Sequence, residues 1–474
     1  MKSIFRLNEH GTSVRREALA GTTTFLTMAY IIFVQPAALS GRMFGMTTGM
    51  DEGAVMVATC LAAALGSLIM GIYANYPIAL APGMGENFVF VLSALPVAAA
   101  LPAVRAGEVQ AWQVGLGVVF ISGILFLLLS VLGVRERIVN AVSPSMKNAM
   151  AVGIGLFIAF IGMQNAGLIQ KHPGTAVSLN PVFYSPDLIV FFFGLLLTAV
   201  LHVRSVRGSI LWGILGAAAL AAGLRLVLPL LPEAVGAART VTGSKLMTDF
   251  QLHAAVVAAP PSLEPTWLRM DLIRAVAVPM LPFILIFLFM DVFDTLGTLI
   301  GVCEQAGFIR DNKLPRAGRV LMADSVGTVA GACLGTSTVT SFIESAAGVE
   351  HGGRTGLTSV FTALLFVLAL FFSPLVAMIG SYLPITAPAL VIVGSMMMKT
   401  VKKIAWEDYS EAIPSFVVIL GIPLCYSIAD GLALGFILYP LVKLFGGRSR
   451  EVSAIMYGLA LILIGYFLFV RPTV

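Results

Sequence analysis

The apolar residues of this chain come in long runs, most of them near the roughly 17 to 25 residues that carry a helix across a bilayer. Such runs fall at 18–39, 53–74, 78–100, 114–132, 147–168, 188–203 and 209–231. A second set follows at 275–302, 320–334, 336–349, 357–379, 388–401, 412–427 and 431–445. Between the sets lies the longest polar connection, 232–274, and a final run at 452–470 has no counterpart in the first set. The pattern predicts an all-α polytopic membrane protein. A short N-terminal segment (1–17) leads into a first seven-span repeat (18–231), and an extracytoplasmic connection (232–274) follows. A second seven-span repeat (275–446) and an appended hydrophobic helix (447–474), spanning or interfacial, complete the chain. An odd number of spans per repeat inverts the second repeat relative to the first.

The halves echo one another locally. Span two runs into Tyr76-Pro77-Ile78-Ala79-Leu80-Ala81-Pro82-Gly83-Met84-Gly85-Glu86-Asn87-Phe88, and span nine runs into Gly335-Thr336-Ser337-Thr338-Val339-Thr340-Ser341-Phe342-Ile343-Glu344. In each, a small-residue helix gives way to a short polar break and a polar helix start. The β-branched residues Thr336, Thr338, Val339 and Thr340 suit extended backbone, and the stretch from Ser341 to Ala347 suits a helix beginning partway through the membrane. The reading is a short strand and a half-helix in both span three and span ten. A broken helix exposes N–H groups and the positive end of its dipole at mid-depth, a device by which transporters hold a solute.

Composition fixes the class. Of 474 residues, 58% are hydrophobic and 11% charged, against about a quarter charged in soluble domains. The net charge of +5 does not point to nucleic acid, because Lys and Arg lie in loops between apolar runs. With a cytoplasmic N-terminus and every run crossing, the inside collects Lys2, Arg6, Arg15, Arg16, Arg135, Arg137, Lys147, Arg204, Arg207, Arg310, Lys313, Arg316, Arg319, Arg354, Lys399, Lys402, Lys403, Lys443, Arg448 and Arg450, 20 of the 29 basic residues, the positive-inside bias. The expected place is the bacterial cytoplasmic (inner) membrane, multi-pass, with no cleaved signal peptide. Cys60, Cys303, Cys333 and Cys425 have no paired spacing, and His10, His172, His202, His253 and His351 form no ligand-spaced pair. No disulfide framework, metal site or cofactor is expected, and without a Walker loop or nucleophile elbow an enzyme is disfavoured.

Candidate chemistry rests on acids within apolar runs. Asp291, Asp294, Thr295 and Thr298 share one helical face. A carboxylate at the bilayer centre costs about 2.5 to 3.5 kcal/mol on insertion scales, so it needs a partner or a role. One of the two aspartates can instead cap or salt-bridge near the membrane edge, and position does not separate them. Glu344 reads as a ligand group or as a helix-start residue satisfied by neighbouring N–H groups. Asn87 reads as a ligand group or as a brace for the broken backbone. Glu86, about 100° round the helix from Asn87, cannot aim at the same small ligand. Thr340 and Ser341 either contact solute or bond back to the backbone, and Phe88 and Phe342 either stack on a ring or pack.

Leu80-Ala81-Pro82-Gly83-Met84-Gly85-Glu86-Asn87, Asp294-Thr295-Leu296-Gly297-Thr298, Ala323-Asp324-Ser325-Val326-Gly327-Thr328 and Gly335 to Ser345 resemble the AzgA-like purine permeases of the nucleobase:cation symporter-2 group over essentially the whole chain. The resemblance implies a core domain (spans 1–4 and 8–11) and a gate domain (spans 5–7 and 12–14), with the site between half-helices three and ten. It implies that Asn87, Asp294 and Glu344 occupy substrate positions. Glu86 stands where the family often has an apolar residue. The expectation is import of a purine nucleobase, guanine or hypoxanthine foremost and adenine after them, by alternating access with proton symport. A flat neutral purine offers adjacent N–H donors, which a carboxylate can accept in pairs. Glu344 and Asp294 fill that role, with Asn87 donating and accepting opposite them. Burial favours the protonated form of a carboxyl, and this makes Asp294, with Glu344, the proton-coupling candidate. Sodium as driving ion, another solute on the same fold (a pyrimidine, xanthine or a small anion) and a channel stay open at this level, and the reading admits a homodimer.

Overall fold

The computed structural model describes residues 5–132, 142–230, 239–252, 255–305, 316–465 and 467–468. Lys2, Arg135, Arg137, His253, Arg310, Lys313 and the far end of the final apolar run lie outside the described residues.

The first span is two helices, α1 (Val14–Met28) and α2 (Ile31–Leu39). It begins ahead of the expected residue 18 because Ser13 caps it, its hydroxyl accepting the Arg16 N–H. Helix α3 (Glu52–Ile69) is capped by Asp51, which accepts the Ala54 N–H at 2.8 Å, and continues through a wider turn to Ala74. The chain then extends as β1 (Leu80–Pro82) and becomes helical again in α4 (Met84–Val89). Helices α5 (Ala111–Val131) and α6 (Pro144–Asn165) follow, each near the length that crosses a bilayer. Between α6 and α7 (Pro186–Val203) stands an exposed hairpin of β2 (Ile169–His172) and β3 (Ala176–Leu179). The expected all-α description omits this hairpin. A polar loop outside the apolar runs can pair its backbone with itself at no cost to a span. Helix α8 (Ser209–Val227) closes the first half.

The second half opens with α9 (Leu281–Gln305) and α10 (Ala317–Leu334). The run over 336–349 holds the expected short strand and half-helix, as β4 (Val339–Ser341), a turn, and a short helix α11 (Ser345–Glu350). Gly335 sets this break. Its φ of 102° lies in the left-handed region, and a Cβ there would sit 2.2 Å from Thr266 Cβ. The Thr266 hydroxyl donates to the Leu334 carbonyl at 2.9 Å, so the long polar connection itself closes the end of α10. The chain ends with α12 (Gly356–Ala369), α13 (Ser373–Ser381), α14 (Ala387–Met397), α15 (Tyr409–Leu424), α16 (Ile428–Phe445) and α17 (Ala454–Gly465).

Among the described residues, eight helical stretches are long and apolar enough to cross a membrane. The chain is therefore a multi-pass membrane protein. Small residues let its helices approach closely. A Cβ on Gly356, opening α12, would sit 1.8 Å from the Gly71 carbonyl oxygen. At the far end of α16, buried Lys443 lies 2.9 Å from Glu411 and 2.8 Å from Glu451, while Ser143 donates to Glu411 at 2.6 Å. This charge cluster ties α6, α15, α16 and the approach to α17 together.

Candidate substrate site

The two breaks in the helices meet. Strands β1 and β4 pair antiparallel, with Leu80 opposite Ser341, Ala81 opposite Thr340 and Pro82 opposite Val339. Gly83 N–H to Thr338 O (3.0 Å) and Phe342 N–H to Ala79 O (3.0 Å) extend the ladder. In a membrane-embedded protein the outer edges of such a ribbon must also be satisfied. Ser67 on α3 accepts the Leu80 N–H at 2.9 Å and stands 3.2 Å from the Leu80 carbonyl. Thr328 on α10 does the same for the other strand, accepting the Val339 N–H at 3.1 Å and standing 3.0 Å from the Val339 carbonyl. Each strand is thus edged by a hydroxyl from the helix that precedes it in the chain.

Polar side chains reach this ribbon from three directions. From α2, Gln35 donates to Asn87 Oδ1 and Thr336 Oγ1, each at 2.9 Å, while the Asn87 amide donates back to Gln35 Oε1 and Ser337 donates to Asn87 Oδ1. Asn87 is fully buried, and its carboxamide is consumed by this ring. It holds α2, α4 and the approach to β4 in register. From α9 and α10 comes a second set. Thr295 donates to Asp324 Oδ2 at 2.7 Å or shares a bond with Thr340 at 2.9 Å, and Ser341 donates to Asp324 Oδ1 at 3.3 Å. Thr328 also lies 2.9 Å from Asp291 Oδ2, while Asp291 Oδ1 is buried without a hydrogen-bond partner among the described residues. The third approach is from α1 and α2: the Tyr30 hydroxyl, between them in sequence, donates to Glu344 Oε1 at 3.0 Å.

Five acids surround the crossing, and among the described residues none has a Lys or Arg partner. Asp291 and Asp324 are fully enclosed, Glu86 is 2% exposed and Glu344 9%. Of the five, Asp294 is the exposed one, and Thr340 Oγ1 lies 3.5 Å from its carboxylate. It neighbours both Glu86 and Glu344 closely enough to act on them electrostatically. Glu86 folds back towards Gly83, where a Cβ would meet its Oε2 at 2.1 Å. Glu344 stands at the N-cap of α11 but makes no capping bond there; Tyr30 holds one of its oxygens. Phe88 is enclosed edge-on between Phe44 (5.3 Å) and Phe157 (5.6 Å), and Phe342 is 6% exposed.

The structure thus gathers Asp294, Glu344, Glu86, Thr340, Ser341 and Phe342 around one crossing, with Asn87 bracing its side. Two participants, Tyr30 and Gln35, went unremarked in the sequence, and Asp324 entered only within a motif, without a role. Asp324 carries the same signal as Asp294, an acid inside an apolar run, and Gln35 is the one amide in α2. Tyr30 carries no such signal, because a tyrosine in an apolar span is ordinary.

The arrangement can hold a small polar solute between a carboxylate fixed on one oxygen and a second, open carboxylate. Comparisons with known proteins place the chain among permeases. The chain is 43% identical to the guanine/hypoxanthine permease PbuG of Bacillus subtilis (strain 168), covering 99% of this chain and 100% of that one. It is 37% identical to the adenine permease AdeP of Escherichia coli (strain K12), covering 99% and 96%. Among solved structures it is similar in fold to the transmembrane domain of the cyanobacterial bicarbonate transporter BicA, with a TM-score of 0.59 at 15% identity over 88% of this chain and 97% of that one. SLC26A9 gives a TM-score of 0.59 at 12% identity over 91% and 66%. The protein is a transporter rather than an enzyme, and since the Permease family profile (Xan_ur_permease) matches residues 15–434, the chain belongs to that family.

Proposed function

We propose that this protein imports purine nucleobases, guanine and hypoxanthine foremost and adenine after them, across a bacterial cytoplasmic membrane by proton symport. The observation that carries this reading is Glu344: a carboxylate with one oxygen fixed by Tyr30, beside open Asp294, at the crossing of two interrupted helices. Relatives named as purine permeases over their full length support the substrate class. Glu344 accepts N–H groups from the purine edge, and Asp294 provides the second acceptor and carries the proton. Thr340 and Ser341 line the extended wall beside them. Asn87, through Gln35, shapes the wall opposite, and Phe88 supports it from behind. Glu86 lies within the electrostatic reach of Asp294 and tunes the charge of the site.

The seven-plus-seven inverted repeat draws support from the matched roles of Ser67 on β1 and Thr328 on β4. In this scheme spans 1–4 and 8–11 form the core domain that carries the ribbon. Spans 5–7 and 12–14 form the gate, joined by the packing of α6 on α14 and α15. The N-terminus is cytoplasmic and the 232–274 connection faces outward. Movement of core against gate exposes the ribbon to each side in turn, and Asp294 loads its proton outside and releases it inside.

The test is uptake of radiolabelled hypoxanthine by a transport-deficient bacterium expressing the protein, with unlabelled guanine, adenine, xanthine and uracil as competitors and a protonophore in parallel. Saturable uptake that guanine suppresses and the protonophore collapses is expected. Uptake suppressed only by uracil, or linear with concentration, would overturn the substrate assignment or the carrier scheme. Uptake that survives the protonophore and requires sodium would replace the proton as driver.

A further inference from the structure

Away from the ribbon, a cavity of about 480 Å³ opens at the end of α3 beside the start of α10 and the N-terminal segment. Arg6, His10, Arg316 and Arg319 reach it, and among the described lining residues the acid is Glu9, 3.6 Å from Arg6 on the exposed surface. Arg316 lies over the Tyr76 ring at 5.0 Å and Arg319 over the Tyr73 ring at 5.7 Å. Stacking on an aromatic face steadies a guanidinium without using its N–H donors. Among the described residues neither of these two arginines has a carboxylate partner. Both also stand at the start of α10, where positive charge works against the helix dipole. Helix stability therefore does not account for them, and among the described residues no carboxylate competes with an anion for their donors.

The lip of the cavity is apolar. Ile72 (55% exposed) and Tyr73 (43% exposed) end the 23-residue apolar stretch Glu52–Ala74, which is long enough to cross a membrane. Cationic donors within a pocket and an apolar lip continuous with a membrane-facing helix match a phosphodiester that carries acyl chains. We infer that this cavity binds a phosphate group, supplied by the headgroup of an anionic phospholipid: Arg316 and Arg319 take the phosphate oxygens, Arg6 and His10 close over it, and Ile72 and Tyr73 receive the start of the chains. The lipid would then bridge α3, α10 and the N-terminal segment. This inference stands apart from the transport reading, because none of these residues touches the ribbon.

The test uses the purified full-length protein in mild detergent, with its melting temperature read with added phosphatidylglycerol, phosphatidylcholine or inorganic phosphate. Phosphatidylglycerol is expected to raise the melting temperature by several degrees and phosphatidylcholine to leave it unchanged, and R316Q/R319Q should lose most of the rise. A rise given equally by inorganic phosphate, and lost in the variant, would keep the phosphate site and make its source soluble. An equal phosphatidylglycerol effect in parent and variant, or no effect of either anion on the parent, would overturn the site. Monodisperse elution of the variant controls for folding. Should it fail that control, Arg6→Gln, an exposed change in the same cavity, provides the same readout and is expected to reduce the rise.

Discussion

Replacing Tyr30 with Phe removes one oxygen atom and leaves the ring in place. That oxygen is 3.0 Å from Glu344 Oε1, and both side chains are enclosed, Tyr30 at 2% and Glu344 at 9% exposure. No cavity larger than a hydroxyl opens, so packing contributes little and the loss is that of a hydrogen bond to a carboxylate, about 1.5 to 3 kcal/mol. The sign follows from what Tyr30 does. It donates to one carboxylate oxygen of Glu344 and so fixes the direction of the remaining oxygen, the one left to accept the purine N–H groups. At about 1.4 kcal/mol per factor of ten, Tyr30→Phe should weaken apparent hypoxanthine affinity roughly 10- to 100-fold. The assay is initial-rate uptake over a range of hypoxanthine concentrations, normalised to the amount of protein in the membrane. A KM within twofold of the parent at equal protein would show that the Tyr30 contact does not act on the substrate site, and the role given to Glu344 would lose its main geometric support.

Three further outcomes probe the frame around the site. Gln35→Leu strands the buried Asn87 amide, which should cost about 1 to 3 kcal/mol and appear as a lower melting temperature in detergent; an unchanged melting curve would mean that the ring does not brace the ribbon. Gly356→Ala places a methyl group 1.8 Å from the Gly71 carbonyl oxygen, and overpacking of about 1 to 3 kcal/mol should reduce both the amount of folded protein and its thermal stability; normal accumulation and melting would contradict the close crossing of α3 and α12. Lys443→Met leaves Glu411 without its cation at 2.9 Å and should destabilise the protein by about 3 kcal/mol, read as earlier unfolding in a thermal scan; a melting temperature equal to the parent's would show that the cluster does not hold α6, α15 and α16 together.

What the chain reveals about itself divides along a physical line. Helix-length apolar runs are local signals, so most spans stand within a few residues of where hydropathy puts them. Glu344 and Asp294 are equally visible, since each is a charge in a run that has few others. The ribbon is visible only in part. The β-branched Thr336 to Thr340 suggests extended backbone, but the pairing of Leu80 with Ser341 joins positions 261 residues apart (341 − 80), and no local pattern encodes such a register. The same limit hides the hydroxyls of Ser67 and Thr328, ordinary small polar residues until the strands they edge are in place. It separates Asn87 from Gln35 as well: the sequence offers a ligand or a brace, and only the neighbouring amide on α2 shows that the carboxamide is engaged. The half-helix after β4 begins later than its composition suggests, because Phe342 is held by the Ala79 carbonyl in the ladder, which delays the first helical turn to Ser345.

The central claim is that Glu344 receives the purine at the crossing of the two broken helices, and equilibrium binding tests it without the complication of transport. Radiolabelled hypoxanthine would be titrated onto the purified parent protein and onto Glu344→Gln, with elution profile and melting temperature matched between the two. The account predicts saturable binding to the parent, displaced by guanine, and its loss in the variant. Equal affinity in both proteins would contradict it.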